Sequence, residues 1–217
     1  MMKKSTRVSV SWMLCGVMLV MTHGVYAMMA DKATGIAFRP KLKDDALTLF
    51  GVGVRRKGPI KVYAVGLYSN QTLKEELATV SRASDPNGQQ ALTMLRKGVK
   101  EHPTSFLLEM NFQVSAEKMA KAIGESVAPR YAGSPEHIEK LKGLIRKGVG
   151  ATKGSVGRGN NIQFDCSPEG IAVAVDGKEQ GNVPNTDLAA AFCDVYLDEK
   201  SVTPTLRDSC IHECCAP

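Results

Sequence analysis

The sequence predicts an α+β domain with a mostly antiparallel sheet. Three observations carry that expectation. Residues 47–55 and 60–68 are two apolar runs joined by the short polar turn Arg56-Lys57-Gly58-Pro59, the pattern of a hairpin buried on both faces. Residues 115–127 and 134–149 repeat apolar side chains at helical spacing. Residues 155–165 and 171–175 alternate with period two, and Asp176-Gly177 follows them as a tight-turn signal. The order is strands, helices, hairpins and a closing helix, with no internal repeat and no linker.

Residues 1–27 stand apart. Lys3, Lys4 and Arg7 precede an apolar run over 8–21 that holds the only tryptophan, Trp12, and Val25-Tyr26-Ala27 reads as a small-x-small cleavage site. The run is shorter than the ~20 residues a bilayer-spanning helix needs. It predicts a cleaved secretory signal and no stable membrane span after cleavage. The final compartment (secreted, envelope space or organelle) is left open by such a signal.

With Lys3, Lys4 and Arg7 removed, the formal charge falls from +6 to +3. Cations are scattered and aromatics few, so no nucleic-acid partner is expected. The most basic stretch, 140–158, reads as a solvated helix face and a loop. At 217 residues and 43% hydrophobic, the chain can form one domain with a sizeable core.

Along the chain, 28–33 reads as a leader and 36–42 as a first strand. After the hairpin come short helices over 73–80 and 89–99, separated by the turn Asp85-Pro86-Asn87-Gly88. Residues 106–114 form the next long strand. Ser115 is placed to cap a helix with Met119, Ala120, Ile123 and Val127 on one face, ended by Pro129. Ser134-Pro135-Glu136 opens another, with cap, N1 proline and early carboxylate; its stripe is Ile138, Leu141, Ile145 and Val149. Asn185 or Thr186 caps a last helix bearing Leu188, Ala191, Phe192 and Val195.

Several chemistries are excluded or set aside. The glycines of Gly51-x-Gly53-x-x-x-x-Gly58 sit in a strand and a turn with no helix after them, so they cradle no phosphate. Gly150 to Ser155 has the wrong order for a P-loop. No G-x-S-x-G elbow exists, and His23, His102, His137 and His212 fall in signal, loop, helix and tail. Cys166, Cys193, Cys210, Cys214 and Cys215 remain after signal removal, an odd count with three in the tail. In an oxidising compartment a disulfide would staple that tail. Cys210, His212, Cys214 and Cys215 have metal-ligand chemistry but no usual zinc spacing. Asn70-Gln71-Thr72 is a glycosylation sequon for a eukaryotic secretory route. No cofactor or metal is expected.

What stays is the hairpin itself. Gly51 and Gly53 mark a bulge or a close backbone approach, Arg55 follows them, and Gly66 opens space between Tyr63 and Tyr68. An arginine and a tyrosine facing each other across a strand pair can grip an acid or enol group in an apolar pocket. The bland alternative is a snorkelling or ion-paired Arg55 beside an ordinary sheet tyrosine.

Residues 50–68, with GVGVR and then KVYAVGLY, resemble the chalcone isomerase fold family. So does the run NIQFDCSPEGIAVAVDGKEQGNVPNTDLAAAFCDVYLDEKSVTP, against a family pattern of strand, NGK- or DGK-type hairpin, and a helix reading ALFDVYLG before VSP. The likeness spans about 34–209 and leaves 210–217 as a Cys-rich tail. It implies an open-faced β-sandwich: a large antiparallel sheet under a layer of helices, with a ligand cleft between. Family members include true isomerases, which cyclise a chalcone to a flavanone, fatty-acid-binding relatives and non-catalytic helpers.

On that resemblance Arg55 matches the arginine that holds the phenolate or, in the lipid binders, the carboxylate. A guanidinium is always charged and binds a carboxylate bidentately. Tyr63 stands where the true isomerases carry threonine and the fatty-acid binders carry tyrosine. In an ungapped match the catalytic tyrosine and asparagine fall on Ser115 and Ala122, which lack the required groups; Tyr131 is a nearby hydroxyl able to substitute from another position. The implied function is non-catalytic binding of a small-molecule ligand, a fatty acid or related aromatic or acidic compound, by Arg55, Tyr63 and Tyr68. The alternative is an intramolecular lyase with Arg55 and Tyr63 as its catalytic pair. A third is a scaffold whose Arg55 is buried against an acidic partner in a filled cleft.

Overall fold

The computed structural model describes residues 28–80, 85 and 87–214. The expected signal at 1–27 lies outside the described residues. The strands are β1 (Met29–Ala30), β2 (Ala37–Phe38), β3 (Lys41–Leu42), β4 (Leu47–Lys57), β5 (Ile60–Ser69), β6 (Thr104–Met110), β7 (Val114–Ser115), β8 (Ser155–Val156), β9 (Asn161–Ser167), β10 (Gly170–Val175) and β11 (Lys178–Val183). The helices are α1 (Gln71–Ala78), α2 (Gln89–Glu101), α3 (Ala116–Val127), α4 (Pro135–Ala151), α5 (Thr186–Leu197) and α6 (Pro204–Cys214). Seven strands form one curled antiparallel sheet in the order β11-β10-β9-β6-β5-β4-β3. The α+β expectation and the antiparallel sheet both hold.

Alternation across the sheet separates two apolar clusters. Tyr63, Val65, Leu67, Phe106, Leu108, Ile162 and Phe164 join the larger one, together with inward residues of the helices such as Met119, Ile123, Leu141, Phe192 and Tyr196. Leu49, Val52, Ala64 and Tyr68 form the smaller one with Phe38 of β2. The predicted caps form. Ser115 Oγ accepts from Lys118 N, and Asn185 Oδ1 from Leu188 N at 2.7 Å. Asp176 and Gly177 have φ of 49° and 73°, the left-handed pair that a two-residue hairpin between β10 and β11 requires.

Five readings are corrected. Residues 28–33 are not a leader: β1 pairs with β2, and buried Asp31 accepts from Thr34 N and Thr34 Oγ1, both at 2.7 Å. The strand expected over 36–42 breaks around Pro40 into β2 and β3, and the one over 106–114 stops at Met110. The run 155–165 divides into β8 and β9 at a turn where Gly159 has a φ of 87°. Lastly, α6 runs through residue 210 and buries Cys210, so the stretch from 210 to 214 is helix rather than a separate tail.

That unexpected helix explains the glycines of β4. It lies directly on the strand: a Cβ at Gly51 would come within 2.6 Å of Cys210 N, and one at Gly53 would run into Leu206 N. Beyond Thr48, β3 no longer pairs with β4. There α6 takes over the free edge, Val52 N donating to Ser209 Oγ and Val54 N to Thr205 Oγ1, each at 3.1 Å. An open edge is thereby capped. The bulge also exists, as a register shift between Leu49 and Gly51.

Candidate functional site

Arg55 and Tyr63 are register partners on β4 and β5, so both side chains leave the same, helix-covered face of the sheet. Arg55 is half-buried, and its Nη1 donates to the carbonyl oxygen of Val202 at 3.1 Å, in the turn between α5 and α6. Among the described residues no carboxylate forms an ion pair with Arg55. Tyr63 is 5% exposed and its hydroxyl lies 3.2 Å from that of Tyr196.

Burial pushes the Tyr63 hydroxyl above its ordinary range, against the opposing Tyr196 hydrogen bond and Arg55 charge. Burial raises Tyr196 still further, with Tyr63 adding to the effect and Arg55 opposing it. Both phenols are therefore neutral at physiological pH; one donates to the other, and the second keeps its hydrogen for a ligand. The ring of Tyr196 is held by Phe106, stacked at 4.8 Å, and by Phe192 at 5.6 Å. The site thus offers a cation and two hydroxyls under an apolar layer, a donor set suited to an oxyanion.

The structure does not bring Tyr68 into this group. It lies on the opposite face of the sheet, where its hydroxyl donates to the carbonyl oxygen of Arg39 at 2.9 Å. The odd separation of 63 and 68 dictates this, because strand side chains alternate. Gly66 leaves no open space either: the ring of Phe38 would meet a Cβ there at 2.7 Å. Tyr131 bonds His137 Nδ1. Ser115 caps α3, and Ala122 is exposed to solvent. The inward face of α3 is Met119, Ala120, Ile123 and Val127.

Tyr196 went unselected in the sequence reading, although a signal was present. It follows Phe192 by four residues and so shares the inward face of α5. Two cavities, of about 380 and 540 Å³, lie elsewhere: one beside Ser105, Asp165 and Ile171, the other between α1 and α2. Neither is lined by Arg55 or Tyr63; Tyr63 is packed within the larger core cluster, and Arg55 sits half-buried at its margin. Among the described residues no helix is long and apolar enough to cross a membrane, and no group of histidine, cysteine and acidic side chains could hold a metal.

A curled antiparallel sheet with helices over one face and an arginine–tyrosine pair beneath them defines a class of open-faced sandwich. The sequence matches the chalcone isomerase-like family over residues 30–211, and the chain belongs to that family. No curated protein matches it. A solved structure with the same fold is that of a fatty-acid binding protein of Arabidopsis thaliana, at a TM-score of 0.70 and 21% identity. The match covers 85% of this chain and 96% of that one.

Proposed function

We propose that this protein binds a fatty acid, with the carboxylate held by Arg55 and Tyr63 and the acyl chain between the sheet and the helices. The observation that carries the reading is the guanidinium of Arg55. It is half-buried, it faces a neutral tyrosine hydroxyl, and among the described residues no carboxylate pairs with it. A half-buried cation lacking a counter-charge gains from a ligand carboxylate, which supplies one with bidentate geometry. Beside the pair stand the Val202 carbonyl oxygen and the Tyr196 hydroxyl. The fold shared with a fatty-acid binding protein supports the same reading.

Because Tyr63 is packed within the core, the acyl chain would enter by parting the helical layer from the sheet near Arg55. The test is native mass spectrometry with lipid extraction on the purified protein and on Arg55→Ala. Bound fatty acid in the wild type, weakened on the order of 10- to 100-fold in the variant, is the expected result. Wild-type protein that neither carries nor takes up fatty acid would overturn it. Export directed by residues 1–27 belongs to the same proposal, and N-terminal sequencing of the mature protein checks it.

A further inference from the structure

Thr203 is fully buried, and its Oγ1 has no hydrogen-bond partner. Among the described residues it is the one buried side-chain nitrogen or oxygen left so. Native proteins rarely keep such an atom, since its desolvation goes uncompensated. Its position suggests what compensates it. Thr203 adjoins Val202, whose carbonyl oxygen receives Arg55 Nη1. Ser201 ties the same turn together, donating to Tyr196 O at 2.6 Å and accepting from Thr203 N at 3.1 Å. Arg55, Tyr196 and Thr203 are therefore held at one junction, where α5 ends and α6 begins.

We infer that Thr203 Oγ1 is a further donor to the ligand carboxylate, an inference that rests on the binding role proposed for Arg55 and Tyr63. A carboxylate presents about four acceptor sites. Two are taken by a bidentate guanidinium, one by the Tyr63 hydroxyl and one by Thr203, whose hydroxyl hydrogen rotates to suit. The N-terminus of α6, which begins at Pro204, adds positive partial charge on the same side. A guanidinium flanked by hydroxyls takes the charged free acid in preference to its neutral ester. The orphan hydroxyl is then a binding group that lowers the stability of the unliganded fold.

The experiment compares wild type, Thr203→Val, Thr203→Ser and Arg55→Ala, with calorimetric binding of hexadecanoic acid and its methyl ester and melting curves without ligand. Thr203→Val is expected to bind the acid about 10-fold more weakly. Its ester affinity should be unchanged and its unliganded Tm equal to or above that of wild type, because an unpaired buried hydroxyl has gone. Thr203→Ser should restore acid binding. Unchanged acid affinity in Thr203→Val, with binding lost in Arg55→Ala, would overturn the role of Thr203 and leave the fatty-acid reading standing. A lowered Tm in Thr203→Val with acid and ester weakened alike would also overturn it, as the mark of a structural residue. A wild type that does not bind the acid would end both.

Discussion

The guanidinium of Arg55 meets the carbonyl oxygen of Val202 at 3.1 Å, across 147 residues of chain. A hairpin strand and the turn between the last two helices are thereby joined at the site. Anything that shifts that turn shifts the arginine. The turn is itself anchored: Arg130 Nε and Nη2 grip Asp198 at 2.7 and 2.8 Å, and Arg207 Nη1 donates to Asp198 O at 2.8 Å.

The Asp198 anchor makes acid stability testable. Partial burial raises the Asp198 carboxyl, but the Arg130 hydrogen bond and charge, with the Lys200 backbone N–H and Arg96, outweigh it and leave the folded value below the usual aspartate range. A depressed folded value means stability that is present above the unfolded aspartate range and is lost as pH falls through the folded one. Asp198→Asn should flatten the acid limb of a plot of denaturation midpoint against pH. A limb of unchanged steepness would refute the assignment.

Gly53→Ala should be destabilising by about 1–3 kcal/mol, because the new Cβ meets the backbone of Leu206 and a helix must move to admit it. Urea denaturation measures this. The same change at Gly150, whose Cβ would meet nothing within 4 Å, is the control and should be neutral or mildly stabilising within its helix.

Tyr63→Phe should cost about 1–3 kcal/mol, since it leaves the buried Tyr196 hydroxyl without its partner. The double variant Tyr63→Phe with Tyr196→Phe removes both hydroxyls and should recover much of that loss. A double-mutant cycle giving no coupling would show that the 3.2 Å contact contributes nothing.

Cys166 and Cys193 should resist modification in the native state. Both are buried, and burial pushes the Cys166 thiol well up, with the neighbouring Cys193 adding to the effect. Alkylation should be slow until denaturant is added, because the thiolate is the reactive form. Fast native labelling at either position would contradict the packing of α5 on β9.

The sequon at Asn70 has a structural use. Its Oδ1 accepts from Leu73 N at 2.9 Å and caps α1, while its Nδ2 lies 3.1 Å from His102 Nδ1. Asn70→Ala should cost about 1 kcal/mol and Asn70→Asp much less, since aspartate caps equally well. Thermal melts of the two variants compare them.

Local patterns were legible wherever neighbours in sequence interact. The caps at Ser115, Ser134 and Asn185, the Asp176-Gly177 turn and the inward stripes of α3 and α4 all follow from spacing and turn chemistry. α6 was not legible. Its sequence PTLRDSCIHEC carries little apolar periodicity, because the helix packs through backbone contact with two glycines instead of through a broad apolar stripe. Gly51 and Gly53 signal a close approach, but nothing nearby in the chain names the approaching segment.

By itself the sequence determined the hairpin and that Arg55 and Tyr63 lie on its two strands. The register shift between Arg55 and Arg56, seen only in the structure, is what pairs them on one face of the sheet. Period-two alternation from Tyr63 also places Tyr68 on the other face, away from the pair. Only the tertiary structure decided what meets the pair: the Val202 carbonyl on Arg55, the Tyr196 hydroxyl on Tyr63, and Thr203 buried beside them. The physical reason is range. Strand alternation and helix capping are set within a few residues, whereas these contacts close loops of more than a hundred residues and depend on how the whole helical layer seats on the sheet.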